Sequence, residues 1–113
     1  MDTNEVKTYI DAEDALKRVG GNKALYKKLL GRFVEGNYFD AIEKAIQSGD
    51  NEDAARQAHT LKGVSANLSL EKIRALSIAL EEQIRGGGDC AAGLAELKAA
   101  YDVTVGLIDS VEG

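Results

Sequence analysis

Residues 50–70 read DNEDAARQAHTLKGVSANLSL, and their spacing decides the fold. Asp50 offers a short acceptor side chain ahead of Asn51. Glu52 and Asp53 then place two negative charges in a first turn, where the free N–H groups of a helix favour them. Ala54, Ala58, Leu61, Ser65 and Leu68 recur in steps of three and four, the buried stripe of a helix running to about Asn67. Ser69 is a candidate cap for a following helix that carries Leu70, Ile73, Leu76, Ser77, Leu80 and Ile84 and is closed by Arg85 and Gly86-Gly87-Gly88. Two amphipathic helices joined by so short a turn pack antiparallel.

Reading toward the N-terminus, Gly49 ends a preceding arm with two stripes, Leu25, Leu29 and Phe33, then Phe39, Ile42 and Ile46. Their phase slips around Gly36-Asn37, which predicts a kink or a brief break. Asn22 is the candidate cap of that arm. Before it, Asp11 caps a short helix with Ala12, Ala15, Leu16 and Val19, stopped by Gly20-Gly21. Residues 1–10 read as a frayed or short lead-in. Toward the C-terminus, Asp89 caps a last helix with Leu94, Leu97, Tyr101, Thr104, Ile108 and Val111 in an a/d pattern. The expectation is an all-α chain: an up-down-up-down antiparallel four-helix bundle with a short extra N-terminal helix, in one domain over residues 1–113.

Composition agrees. The chain has 113 residues and no proline, against 16 Ala and 12 Leu. Its mass of 12.1 kDa predicts roughly 6,000 Å² of surface when folded against about 17,500 Å² extended, enough burial for a core without disulfides. No run of 18 apolar residues is present to cross a membrane. The start, Met1-Asp2-Thr3-Asn4-Glu5, is acidic and polar, unlike a secretory signal. Cys90 is the single cysteine, and one Cys with one His cannot assemble a zinc site. A net charge of −5 argues against nucleic acid or an anionic membrane as partner. A monomer in a reducing, cytoplasmic setting is expected.

The chemical inventory is thin. The chain has no GxxxxGK[ST] phosphate loop, no Glu-x-x-His pair, and no paired base and nucleophile. What remains is His59, the only histidine. At 100° per residue it points about 160° away from the stripe centred on Leu61, into solvent. The residues sharing its face are Ala55, Lys62, Gly63 and Ala66. Such a face is usually crowded with charge, and a mid-helix glycine costs about 1 kcal/mol relative to alanine. One reading is that alanines fill the helix and Gly63 is accidental. The other is that side chains are cleared so that a partner's concave site reaches the imidazole, with Lys62 placed to neutralise a bound phosphoryl group. Glu81 lies at a similar height on the next helix, at the edge of its apolar stripe. It is either an ordinary exposed acid or the acceptor that fixes the proton on one ring nitrogen. Arg56, Arg74, Ile78 and Arg85 are further candidates for contacting a partner.

Residues Ala58-His59-Thr60-Leu61-Lys62-Gly63-Val64-Ser65-Ala66-Asn67-Leu68 closely resemble the signature of bacterial-type histidine-containing phosphotransfer (HPt) domains. Gly20-Gly21-Asn22, Leu25-Tyr26, Leu29-Leu30 and Phe33 look like that family's N-terminal block, and Leu80-Glu81 sits where it commonly has Leu-Glu or a glutamine. The resemblance spans roughly residues 10–112. One position departs: Ser69 stands where the family usually has glycine, so a left-handed backbone there would be strained.

The resemblance implies a phosphorelay intermediate. His59 takes a phosphoryl group on Nε2 from the aspartate of a response-regulator receiver domain, or a hybrid histidine kinase, and passes it to another receiver. Lys62 stabilises the charge, Gly63 permits docking and Glu81 holds the ring. No cofactor is expected on this chain, since the family's Mg²⁺ belongs to the receiver; nor is autonomous kinase activity. The alternatives are a receiver-binding adaptor without phosphorylation, or a domain excised from a chemotaxis or hybrid histidine kinase. A sensor-kinase dimerisation domain fits less well, because Thr60 stands where that class has an acid.

Overall fold

The computed structural model describes residues 2–111, and among them every regular element is a helix. In chain order they are α1 (Thr3–Tyr9), α2 (Ala12–Arg18), α3 (Lys23–Glu35), α4 (Tyr38–Gln47), α5 (Asn51–Asn67), α6 (Glu71–Arg85) and α7 (Ala91–Val111). The caps explain the starts. The side chains of Asp11, Asn22 and Asp50 accept from the N–H groups of Asp14, Leu25 and Asp53, as the spacing predicts. Asp2 does the same for Glu5 at 2.8 Å. With Lys7 in the last turn it closes a helix over a stretch that reads as a lead-in from sequence. That helix is held by tertiary contact with α6 and α7, which a local reading does not contain.

The predicted break falls where the phase slips. Gly36 ends α3 and Asn37 takes φ 49°, ψ 44°, a left-handed residue before α4. A Cβ on Gly36 would sit 2.6 Å from the Tyr38 ring, so only glycine lets that ring fold back over the break. The buried face of α3 differs from the expected stripe. Tyr26, Leu30 and Phe33 are buried, while Leu25 is exposed and Leu29 only half-buried. The helix is rotated so that the Tyr26 ring enters the protein and its hydroxyl donates to the Leu68 carbonyl at 3.0 Å.

α5 packs on both α4 and α6, α6 packs on α7, and α7 returns to α4. These four helices close a ring around Ile42, Leu61, Ile73, Leu80, Leu97 and Ile108, all fully buried. The α5 stripe of Ala54, Ala58, Leu61, Ser65 and Leu68 is buried as its spacing predicts. The expected seam position Val111 lies outside the described side chains. Accessible surface is 6413 Å², close to the value expected from mass. No helix among the described residues is long and apolar enough to cross a membrane.

Ser69 is the clearest local surprise. It does not cap α6; Leu70 occupies that position, and Ser69 has φ 55°. A left-handed serine costs about 1 kcal/mol. The contacts around it keep it there. Its hydroxyl donates to Asp14 Oδ2 at 2.7 Å, and its carbonyl accepts from the Asp11 N–H at 3.0 Å. The hydroxyl, and then the Arg18 guanidinium, hold the Asp14 carboxyl below its ordinary range. The N-terminal helices are thereby tied to the α5–α6 turn.

Tyr26 makes the second tie. Burial, and secondarily the nearby Asp11 charge, push its phenol up to about 12. A raised value means the neutral phenol stabilises the fold. That contribution is fully present below the ordinary value of 10.0 and is lost as pH climbs toward about 12. Tyr26→Phe leaves the Leu68 carbonyl without its donor and is expected to cost about 1–3 kcal/mol. Urea denaturation at neutral pH measures it, and an unchanged midpoint would contradict the assigned tie.

Candidate functional site

His59 stands in the middle of α5 with 61% of its side chain exposed. It is a solvent-facing histidine, as the helical register predicts. Across the α5–α6 interface its Nδ1 lies 3.4 Å from Glu81 Oε1, whose side chain is only 12% exposed. The contact is long for a hydrogen bond, as such contacts often are before a reaction partner arrives. An ionised Glu81 can accept but not donate. It therefore favours the tautomer with the proton on Nδ1 and leaves the Nε2 lone pair free.

Two cations flank that carboxylate. Lys62 Nζ lies 3.5 Å from Oε1, the oxygen facing His59. Arg85 Nε donates to Oε2 at 3.0 Å from one turn further along α6. Burial alone would raise the Glu81 carboxyl, but its bonds to Arg85 and His59 and the Lys62 charge outweigh it and bring it below the ordinary value. A lowered value means the ionised form stabilises the fold. That contribution is present above the unfolded-state value and is lost as pH falls through the folded one. Arg85 was legible only as a helix-closing residue or partner contact. The signal for its pairing was the Glu81-to-Arg85 spacing of four, which brings the two onto one face.

Gly63, one turn from His59, is exposed, and a Cβ built on it meets nothing within 4 Å. Gly31 and Gly106 are equally unobstructed. What distinguishes Gly63 is its place beside the imidazole. Ala66 is half-buried on the same flank. Ala55 departs from expectation: it is buried at 3% and belongs to the core, not to an open patch. α6 covers that flank of α5, and a methyl group is too short to emerge past a neighbouring helix.

The remaining candidates lie on the two helices that carry His59 and Glu81. Arg56, one turn before it, is exposed and pairs with Asp53. Ile78 and Arg74 lie one and two turns from Glu81 on α6, both half-buried, with Arg74 paired to Glu71 at 3.3 Å. Helical register places them on the Glu81 face. The site thus unites His59, Lys62, Glu81 and Arg85 and leaves Gly63 open beside them.

Residues 35–105 match the Hpt domain family. The chain belongs to the Hpt domain family. The matched span covers most of the chain, holds all four residues of the cluster and Gly63, and leaves nearly all of α1–α3 outside. Gly20-Gly21-Asn22 and the α3 residues that look like the family's N-terminal block are therefore beyond it. Membership assigns a role in histidine phosphotransfer within a phosphorelay; Hpt domains interact with response-regulator receiver domains or kinases. No curated protein and no solved structure gave a significant match.

Proposed function

We propose that this chain is a phosphorelay intermediate in which His59 carries the phosphoryl group between receiver-domain aspartates. The observation that carries this reading is the outward imidazole with its Nδ1 against Glu81. In the transfer, the Nε2 lone pair attacks the phosphorus of an aspartyl phosphate. The Nε2–P bond forms, the P–O bond breaks, and the aspartate leaves as a carboxylate. The proton on Nδ1 stays where Glu81 holds it, so the ring needs no separate base. The return step is the same displacement with the second receiver's carboxylate attacking.

Lys62 supplies charge compensation. Its ammonium rests on Glu81 Oε1 and is one turn from His59, so rotation of its stem carries it to a phosphoryl group on Nε2. Arg85 keeps Glu81 ionised and oriented when Lys62 turns away. Phosphoryl transfer is mainly positioning and charge stabilisation, and the receiver's Mg²⁺ and acids supply the rest. The ring of contacts among α4–α7 and the short connections support an up-down-up-down bundle, with α3 and α4 as one interrupted arm, in a single domain. We further read the protein as a cytoplasmic monomer that meets receivers or a hybrid kinase and has no kinase activity of its own. Arg56, Arg74, Ile78 and Ala66 ring the site as candidate partner contacts.

The direct test is incubation with a receiver carrying labelled aspartyl phosphate. Acid-labile, alkali-stable label on this chain supports the relay. Tight binding without label would favour a receiver-binding adaptor. In the same assay Lys62→Ala is expected to slow labelling about tenfold, the equivalent of one charge-assisted hydrogen bond of roughly 1.5 kcal/mol. Identical rates would remove the role given to Lys62.

A further inference from the structure

Away from the histidine, a cleft of about 620 Å³ opens where the end of α2, the middle of α3, the start of α4 and the end of α5 meet. Its volume is that of a small-molecule site. Phe33, fully buried, and Leu68 belong to its wall, together with the half-buried Leu29, Tyr38 and Val64. Arg18 and Arg32 also line it, and both are exposed. Arg18 is already engaged by Asp14 through Nε at 3.1 Å, with its other N–H groups remaining. Arg32 has no carboxylate within ion-pair distance among the described residues.

The segment that supplies both arginines is basic, flanked by Asp14 and Glu35, and its lysines are not among the residues that line the cleft. Residues 15–34 hold Lys17, Arg18, Lys23, Lys27, Lys28 and Arg32 and no acid, in a protein of net charge −5. An apolar floor beside the unpaired Arg32 guanidinium, with the remaining N–H groups of Arg18 nearby, selects a ligand with one apolar body and one anionic end. A cation would be repelled, and a purely apolar molecule would leave Arg32 unanswered.

We propose that this cleft binds a free single-chain carboxylate of fatty-acid type, its tail against Phe33, Leu29, Val64 and Leu68 and its carboxylate on Arg32. Such a ligand would touch the His59 helix at Val64 without entering the phosphotransfer site, so the two assignments stand or fall separately. The test is a titration of the full chain with dodecanoate, kept below its micellar concentration and followed by amide chemical shifts. Saturable one-to-one binding is expected, with the shifts centred on Leu29, Arg32, Phe33 and Val64. Arg32→Glu is expected to weaken it at least about tenfold, as for loss of one charge-assisted contact. Arg32→Gln serves the same purpose if the charge reversal disturbs the helix. Dodecyltrimethylammonium, with the same tail, is expected not to saturate. The proposal is overturned by absent saturation, by equal binding of the cationic amphiphile, or by unchanged affinity in both Arg32 variants. Sedimentation with anionic phospholipid vesicles in the absence of dodecanoate binding would also overturn it, in favour of a membrane surface.

Discussion

His59→Gln is expected to reduce labelling from a phosphorylated receiver to background while the fold survives. The imidazole supplies the lone pair that attacks phosphorus, and a carboxamide nitrogen has none to offer because it is delocalised into the carbonyl. No other histidine exists in the chain to take over. The structural cost is small. The side chain is 61% exposed and its one polar contact among the described residues is the 3.4 Å approach to Glu81, so unfolding free energy is expected to stay within about 0.5 kcal/mol of wild type. Glu81 also retains Arg85 and Lys62 as partners. The measurement is therefore a pair: circular dichroism unchanged and acid-labile label absent. Label persisting at wild-type rate would place the acceptor elsewhere and dismantle the proposed relay.

What the sequence disclosed follows from the range of the forces involved. Caps at Asp11, Asn22 and Asp50 act over three residues, so their positions and the helices they start were readable. The α5 stripe is set by a 3.6-residue period and came out intact, and the same period placed His59 outward. The Gly36-Asn37 break showed as a slip of phase. The errors occur where a distant element decides. α3 is turned by a bond from Tyr26 to a carbonyl 42 residues away. Ala55 is covered by α6, although its own helix gave it an open flank. Ser69, a good cap by composition, is held left-handed by Asp14, 55 residues earlier. In the site, His59, Lys62, Gly63 and Glu81 were legible from one helix face and one register estimate. The Arg85 contact depended on which rotamer Glu81 adopts once it is buried, and no periodicity encodes that.

Gly63 carries the second large expectation, and two substitutions separate its possible roles. A glycine inside an α-helix exposes backbone and loses more entropy than alanine, a cost of about 1 kcal/mol. Nothing in the chain itself requires it, because an added Cβ meets no atom within 4 Å. Gly63→Ala is therefore expected to raise stability by up to about 1 kcal/mol in chemical denaturation. Gly63→Arg should also fold, since its side chain extends into solvent. Yet it places a long, charged group one turn from the imidazole, in the path a receiver must take to bring its aspartyl phosphate into line with Nε2. Misplacement by about 1 Å can cost 10²-fold in a reaction that depends on alignment, so transfer into Gly63→Arg is expected to slow by about that factor. The alanine variant is expected to transfer close to the wild-type rate if a methyl group fits beneath the visiting domain, and more slowly if the approach is closer than that. Unchanged transfer in Gly63→Arg would mean that the receiver reaches His59 from the α6 side, over Ile78 and Arg74. The glycine would then be explained by neither folding nor docking.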